Sequence, residues 1–128
     1  MILLDTQVVY WSMTGTGRVG RAAMRRLENS DIRYASAISH VELVIKNLKG
    51  KLRLPEGDLA AALSGIGIES LPFTHAHAAS LAAFPSLTGH DPFDRMLLAQ
   101  ARAERLDLLT SDQVLLDLDL PWIIDATA

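Results

Sequence analysis

Short apolar runs alternate along the chain with longer stretches in which apolar residues recur at helical spacing. Residues 2–4 read as a buried strand ending at Asp5. Residues 7–13 read as a short helix closed by a turn at Gly15 and Gly17, and residues 18–28 as an amphipathic helix. A second strand is expected at 32–35 and a helix at 41–48, ending near Gly50. Another helix follows Pro55 and runs to 63, and a third strand covers 66–71. Thr74 caps a helix over 75–83. Residues 92–105 form the longest helical pattern, apolar nearly all round, which predicts burial on several sides. A fourth strand at 106–109, a short helix at 113–118 and a last strand at 122–124 complete the series.

Strands separated by helices imply βαβ units and a parallel sheet. The strands lack clean alternation, as expected when helices cover both faces. The expected fold is therefore α/β: a three-layer α/β/α domain with a parallel sheet of about five strands, one domain over residues 1–128.

Composition narrows the function classes. The chain has 128 residues, 49% of them hydrophobic and 21% charged, enough to bury a core without cross-links. It has no cysteine, which excludes disulfides and thiolate metal sites. No apolar stretch is long enough to span a membrane, and the N-terminus does not read as a signal peptide, so a cytoplasmic location is expected. The net charge of -3 argues against a general nucleic-acid coat, though not against an enzyme that grips a few phosphates locally. All 12 basic residues lie between Arg18 and Arg105.

In a parallel sheet the carboxyl ends of the strands, and the helix starts that follow them, line one edge where ligands bind. Asp5 closes the first strand, and Glu42 is expected in the first turn of the helix after the second. Asp91 and Asp94 open the long helix, and Asp112 follows the fourth strand. Each acid taken singly also reads as a helix cap. Ser39-His40-Val41-Glu42 fits a capping box. Asp91-Pro92-Phe93-Asp94 fits a helix start, and Asp112 fits a cap of its own helix. Asp5, behind a buried run, needs a further reason, and caps do not explain why four acids share one edge. Together they read as an all-oxygen site for Mg²⁺ or Mn²⁺, which activate water and stabilise charge on a phosphoryl group.

The same residues resemble the PIN-domain family, specifically the VapC-type toxin ribonucleases of type II toxin–antitoxin pairs. Leu3-Leu4-Asp5-Thr6 is similar to the opening strand and first catalytic Asp. Ser36 to Lys46, continuing to Gly50-Lys51-Leu52, is similar to the second motif, with Glu42 as metal ligand. His90-Asp91-Pro92-Phe93-Asp94-Arg95, continuing to Ala101, is the most specific match and places the third acid on Asp94. Leu109-Thr110-Ser111-Asp112 resembles the fourth motif. The segment 84–89 and the acidic stretch with Asp117 and Asp119 depart from the pattern.

The resemblance implies a PIN-like fold and a divalent-metal-dependent endoribonuclease. Asp5, Glu42, Asp94 and Asp112 would hold one or two Mg²⁺ or Mn²⁺ ions, and activated water would attack phosphorus in line. Thr6, Ser39 and Thr110 would orient carboxylates or water. Asp91 reads rather as a cap, and Arg95 either faces a phosphate or pairs with an acid. The implied partners are an RNA substrate, a cognate small antitoxin and a second copy in a homodimer, whose interface would cover Tyr10, Trp11 and Met13.

Two further readings compete. A receiver-like phosphoacceptor domain also clusters acids around Mg²⁺, but it needs a lysine late in the chain, and none follows Lys51. A catalytically silent PIN-like scaffold binding RNA or protein would have no need of four acids. Arg18, Arg21 and Arg25 read as a solvated helix face. Lys46, Lys49, Lys51 and Arg53 suit a helix C-terminus or an RNA backbone. His75 and His77 point to different sides of their helix and make poor joint ligands.

Overall fold

A computed structural model describes residues 1–16 and 18–128. Its five strands form one parallel sheet in the order β3-β2-β1-β4-β5: β1 Ile2–Leu4, β2 Arg33–Ser36, β3 Ile68–Leu71, β4 Asp107–Thr110 and β5 Ile123–Asp125. The seven α-helices are α1 Thr6–Thr14, α2 Arg21–Glu28, α3 Ala37–Leu48, α4 Leu59–Gly65, α5 His75–Ser80, α6 Pro92–Glu104 and α7 Gln113–Leu116.

The two side-chain directions of β1 explain the layers. Ile2 and Leu4 join Val8, Val9, Trp11, Leu27, Leu43, Leu59 and Leu63 in one core. Leu3 joins Leu97, Leu98, Ala101, Leu108 and Leu115 in the other. All three β1 side chains are buried, so a continuous apolar run is the pattern this position requires. The three-layer α/β/α arrangement with five parallel strands is as expected from the sequence.

Boundaries differ from expectation at several places, each for a local reason. Helix α3 starts at Ala37, because Ser36 leaves β2 and at once caps the helix through the amide of Ile38. Glu42 consequently lies in the second turn of α3, and Ser39 is no cap. The helix expected from 18 begins at Arg21, behind Gly20. A Cβ on Gly20 would overlap the backbone of Thr127 and Ala128, which lies across this helix start. Arg18 therefore precedes the helix, and its guanidinium lies 6.0 Å from the Trp11 ring centre. Ile66 stays outside β3, because Gly67 turns the chain with φ 81. Helix α5 tightens into a 3-10 turn at Leu81–Ala83, and a second such turn, unanticipated, covers Pro85–Leu87. Gly15 closes α1 with φ 65, donating its N–H to the Trp11 carbonyl, while Gly17 lies outside the described residues.

Trp11 is buried, and Tyr10 and Met13 pack against the same core. The expected exposure is corrected for Trp11, whereas Tyr10 and Met13 remain half-buried. Among the described residues, no helix is long and apolar enough to cross a membrane.

The chain leaves β1 toward β2 and β3 on one side and returns to β4 and β5 on the other. Strands flanking β1 are thus entered in opposite directions, which opens a crevice beyond the carboxyl ends of β1 and β4.

Candidate metal centre

Strand register sets the first part of the site. Leu4 pairs with Leu109, so Asp5 and Thr110 leave the sheet side by side. The Asp5 amide donates to the Leu109 carbonyl at 2.9 Å, and the Thr110 hydroxyl donates to Asp5 Oδ2. Asp5 also caps α1, accepting from the Val8 amide at 2.9 Å. The Ser111 amide reaches Asp5 Oδ2 at 3.3 Å. Asp5 is 4% exposed. Burial pushes its carboxyl up, an effect the Thr110, Val8 and Ser111 donors reduce and the nearby charge of Asp112 increases.

Thr6 donates its hydroxyl to Ser39 at 3.0 Å, fastening α1 to α3 inside the protein. One turn further along α3, Glu42 is 7% exposed. Its Oε2 meets Lys46 Nζ at 3.0 Å, whereas its Oε1 is buried without a partner among the described residues. Such an oxygen is costly to keep unless it serves a ligand.

Asp91 accepts from the amides of Phe93 at 2.8 Å and Asp94 at 3.4 Å, and Pro92 occupies the first helical position. Asp91 is therefore the cap of α6, as the sequence indicates. Asp94, three residues on, caps nothing and turns toward Asp112. Its carboxyl is pushed up to about 8, first by burial, then by its hydrogen bond to Asp112 and the charges of Asp112, Asp91 and Glu42. Asp112 is partly buried, which would raise its pKa. The hydrogen bonds from Asp94, the Val114 amide and His90, with the charge of His90, outweigh that and lower it. One proton is thus held chiefly on Asp94.

Asp5, Thr6, Glu42, Asp91, Asp94 and Asp112 line one cavity of about 260 Å³ together with Gln7, Lys46 and Ser111. Ser39 and Thr110 lie behind it, each bonded to a residue of the wall. Arg95 does not line it and pairs with no acid among the described residues, and its Nε is buried without a partner. Asp117 accepts from Gln113 at 2.7 Å on the exposed side of α7. His77 is buried, boxed with Thr74 and bonded through Nε2 to Glu104 at 2.7 Å, far from any shared role with the exposed His75.

His90 was not singled out as a site residue in the sequence. Its Nε2 lies 3.2 Å from Asp94 Oδ2 and 3.3 Å from Asp112 Oδ2. One ligand atom from each of these three residues fits within 4.8 Å of the others. The spacing of His90 and Asp94, one helical turn, is legible in the sequence; the contact with Asp112 is not. Gln7 and Ser111, also unanticipated, follow from the helix start after β1 and the end of β4.

The residues present suit a hard divalent cation. The donors are carboxylate oxygens, one of them buried and unpartnered, and the cluster retains a proton that a cation would displace.

The PIN domain family matches residues 2–120. Ribonuclease VapC22 of Mycobacterium tuberculosis is 32% identical over 118 residues, 88% of this chain and 87% of that protein. A VapBC2 structure from Rickettsia felis, bound to a DNA fragment from its promoter, superposes with TM-score 0.67 at 17% identity, covering 97% of this chain and 96% of that one. A toxin–antitoxin complex from Klebsiella pneumoniae gives TM-score 0.66 at 17% identity, with 98% of both chains covered. The resemblance drawn from the four motifs is thereby supported over nearly the whole chain.

Proposed function

This chain belongs to the PIN-domain family, and on that premise we propose that it is a divalent-metal-dependent endoribonuclease acting as the toxin of a toxin–antitoxin pair. The observation that carries the reading is the unpartnered, buried Oε1 of Glu42 in a cavity that also collects Asp5, Asp94 and Asp112. A silent scaffold has no use for that oxygen. The relative at 32% identity is named a ribonuclease.

In this reading Asp5, Glu42, Asp94 and Asp112 hold Mg²⁺ or Mn²⁺. When bound, such an ion activates water and stabilises charge on a phosphoryl group. Thr110 and the amides of Val8 and Ser111 fix the Asp5 carboxylate, and the Thr6–Ser39 bond holds α3 at the distance that presents Glu42. Lys46 neutralises Glu42 Oε2 and is, among the described residues, the one basic side chain in the cavity wall. Asp91 acts through α6, by setting where Asp94 stands.

Residues 1–128 act as one PIN-like domain in the cytoplasm. Solved structures with this fold include toxin–antitoxin complexes, which supports a small antitoxin as partner. A homodimer rests on the family resemblance alone and is tested by light scattering. Purified protein should cut RNA with Mg²⁺ or Mn²⁺ and stop in EDTA. Cleavage undiminished by EDTA would remove the metal from the account. Expression should arrest growth, and co-expression of a cognate antitoxin should restore it.

A further inference from the structure

Beside the acid cavity lies a second one of about 350 Å³, lined by Tyr10, Leu43, Lys46, Lys51 and Leu52. The two share Thr6, Gln7 and Lys46, so they are adjoining parts of one groove. The first is walled by five carboxylates and one lysine, and the second holds two lysines and no acid. The volume of the second falls within the range of roughly 300–1,000 Å³ that suits small organic ligands. Its floor of Leu43 and Leu52, with Tyr10 alongside, offers apolar surface beneath a cationic rim.

The rim is built by backbone geometry. Gly50, with φ 72, ends α3 in a turn in which the Lys51 amide donates to the Lys46 carbonyl at 2.9 Å. The Asn47 side chain donates to the Leu52 carbonyl at 3.0 Å, tying the next residue to the same helix. The turn therefore seats Lys51 beside Lys46 at the groove. Lys49, of equal charge and in the same turn, is exposed and lines neither cavity.

Resting on the ribonuclease reading above, we infer that this second cavity is the subsite for the nucleotide next to the cut bond. Lys46 and Lys51 take its phosphates, and the Tyr10–Leu52 floor takes its base. An RNA strand is a polyanion and gains nothing from carboxylates alone, so it needs cations where it enters. Lys46 and Lys51 are the cations in the walls of this groove. The net charge of -3 gives the chain no overall attraction for a polyanion, so cations placed at the groove matter. Leu43, Leu52 and the Tyr10 ring give the base apolar surface that does not distinguish one base from another.

The test is binding of a fluorescein-labelled single-stranded RNA 12-mer by anisotropy across a salt series. Ca²⁺ is used in place of the cleaving ion, and a gel confirms that the strand stays whole. Replacing Lys51 by Ala should lower the slope of log affinity against log salt by about 0.7, the share of one phosphate contact on a single strand. The loss should be similar for different RNA sequences. Lys51→Arg should restore the slope, and Lys49→Ala should leave it at the wild-type value. Equal losses in Lys49→Ala and Lys51→Ala would reduce the effect to diffuse charge and overturn the subsite. So would a Lys51→Ala variant that binds RNA normally but loses its protein partner, which would make the groove a protein contact. If the wild type cuts RNA but Lys51 has no effect, the subsite fails alone. If the wild type neither binds nor cuts RNA, the ribonuclease reading fails and takes the subsite with it.

Discussion

Asp94 faces Asp112 across the cleft, and burial, its hydrogen bond to Asp112 and the charges of Asp112, Asp91 and Glu42 push the Asp94 carboxyl up to about 8, so it is the protonated partner. The folded chain holds this proton up to about pH 8, whereas the unfolded value is 3.8. Between those two values the folded state binds more protons, so stability declines as pH rises through the window. Asp5, also raised by burial, acts in the same direction. Asp112, lowered, contributes stability above its unfolded value and loses it only in stronger acid. Thermal melts in EDTA should therefore fall between about pH 5 and about pH 9. Asp94→Asn should flatten that decline, and a variant retaining the full slope would place the proton elsewhere.

Asp91 should separate from its neighbour Asp94 by the same method. It caps α6 through two amides, so Asp91→Ala should cost about 1 kcal/mol in urea unfolding. Asp91→Ser should recover most of it. Stabilisation by Mn²⁺ should survive both changes, since Asp91 is here a cap. A loss of Mn²⁺ stabilisation in Asp91→Ser would make it a ligand.

Thr110 is buried, and its hydroxyl serves both Asp5 Oδ2 and the Asp112 amide, the latter at 3.0 Å. Thr110→Val keeps the shape and removes both bonds. It should cost on the order of 1–3 kcal/mol, because a buried carboxylate and an amide each lose a partner. Asp5 then loses a donor that favours its ionised form, so the acid limb of cleavage should move to higher pH. An unchanged pH profile would show that Asp5 does not depend on Thr110.

Much of this was legible in the chain, and the exceptions share a cause. Asp5 behind three apolar residues and Pro92 behind Asp91 announce a strand end and a helix start by local chemistry alone. The four motifs name the acids. Ser36 and Ser39 show the limit. Both are serines three residues apart, and only Ser39 has a Glu three positions on, so the local rule chooses Ser39. The fold chooses Ser36, because β2 continues to that residue against Leu71, and Ser39 turns inward to Thr6. His90 beside Asp112 and Lys51 beside the acid cavity depend on packing and turn geometry in the same way. Trp11 reads as exposed because the pattern of α1 does not reveal that its neighbours close over it, while Tyr10 and Met13 stay half-buried.

The most direct test compares wild type with Asp94→Asn in one experiment: thermal melts in EDTA and in Mn²⁺, beside RNA cleavage. If Asp94 belongs to a crowded metal site, the variant in EDTA at about pH 9, where wild-type Asp94 has given up its proton, melts at or above wild type, because a repelled carboxylate has gone. It should gain less from Mn²⁺, since that gain follows affinity by mass action, and it should lose most cleavage. A variant that melts lower in EDTA, gains as much from Mn²⁺ as wild type and still cuts RNA would contradict the metal site.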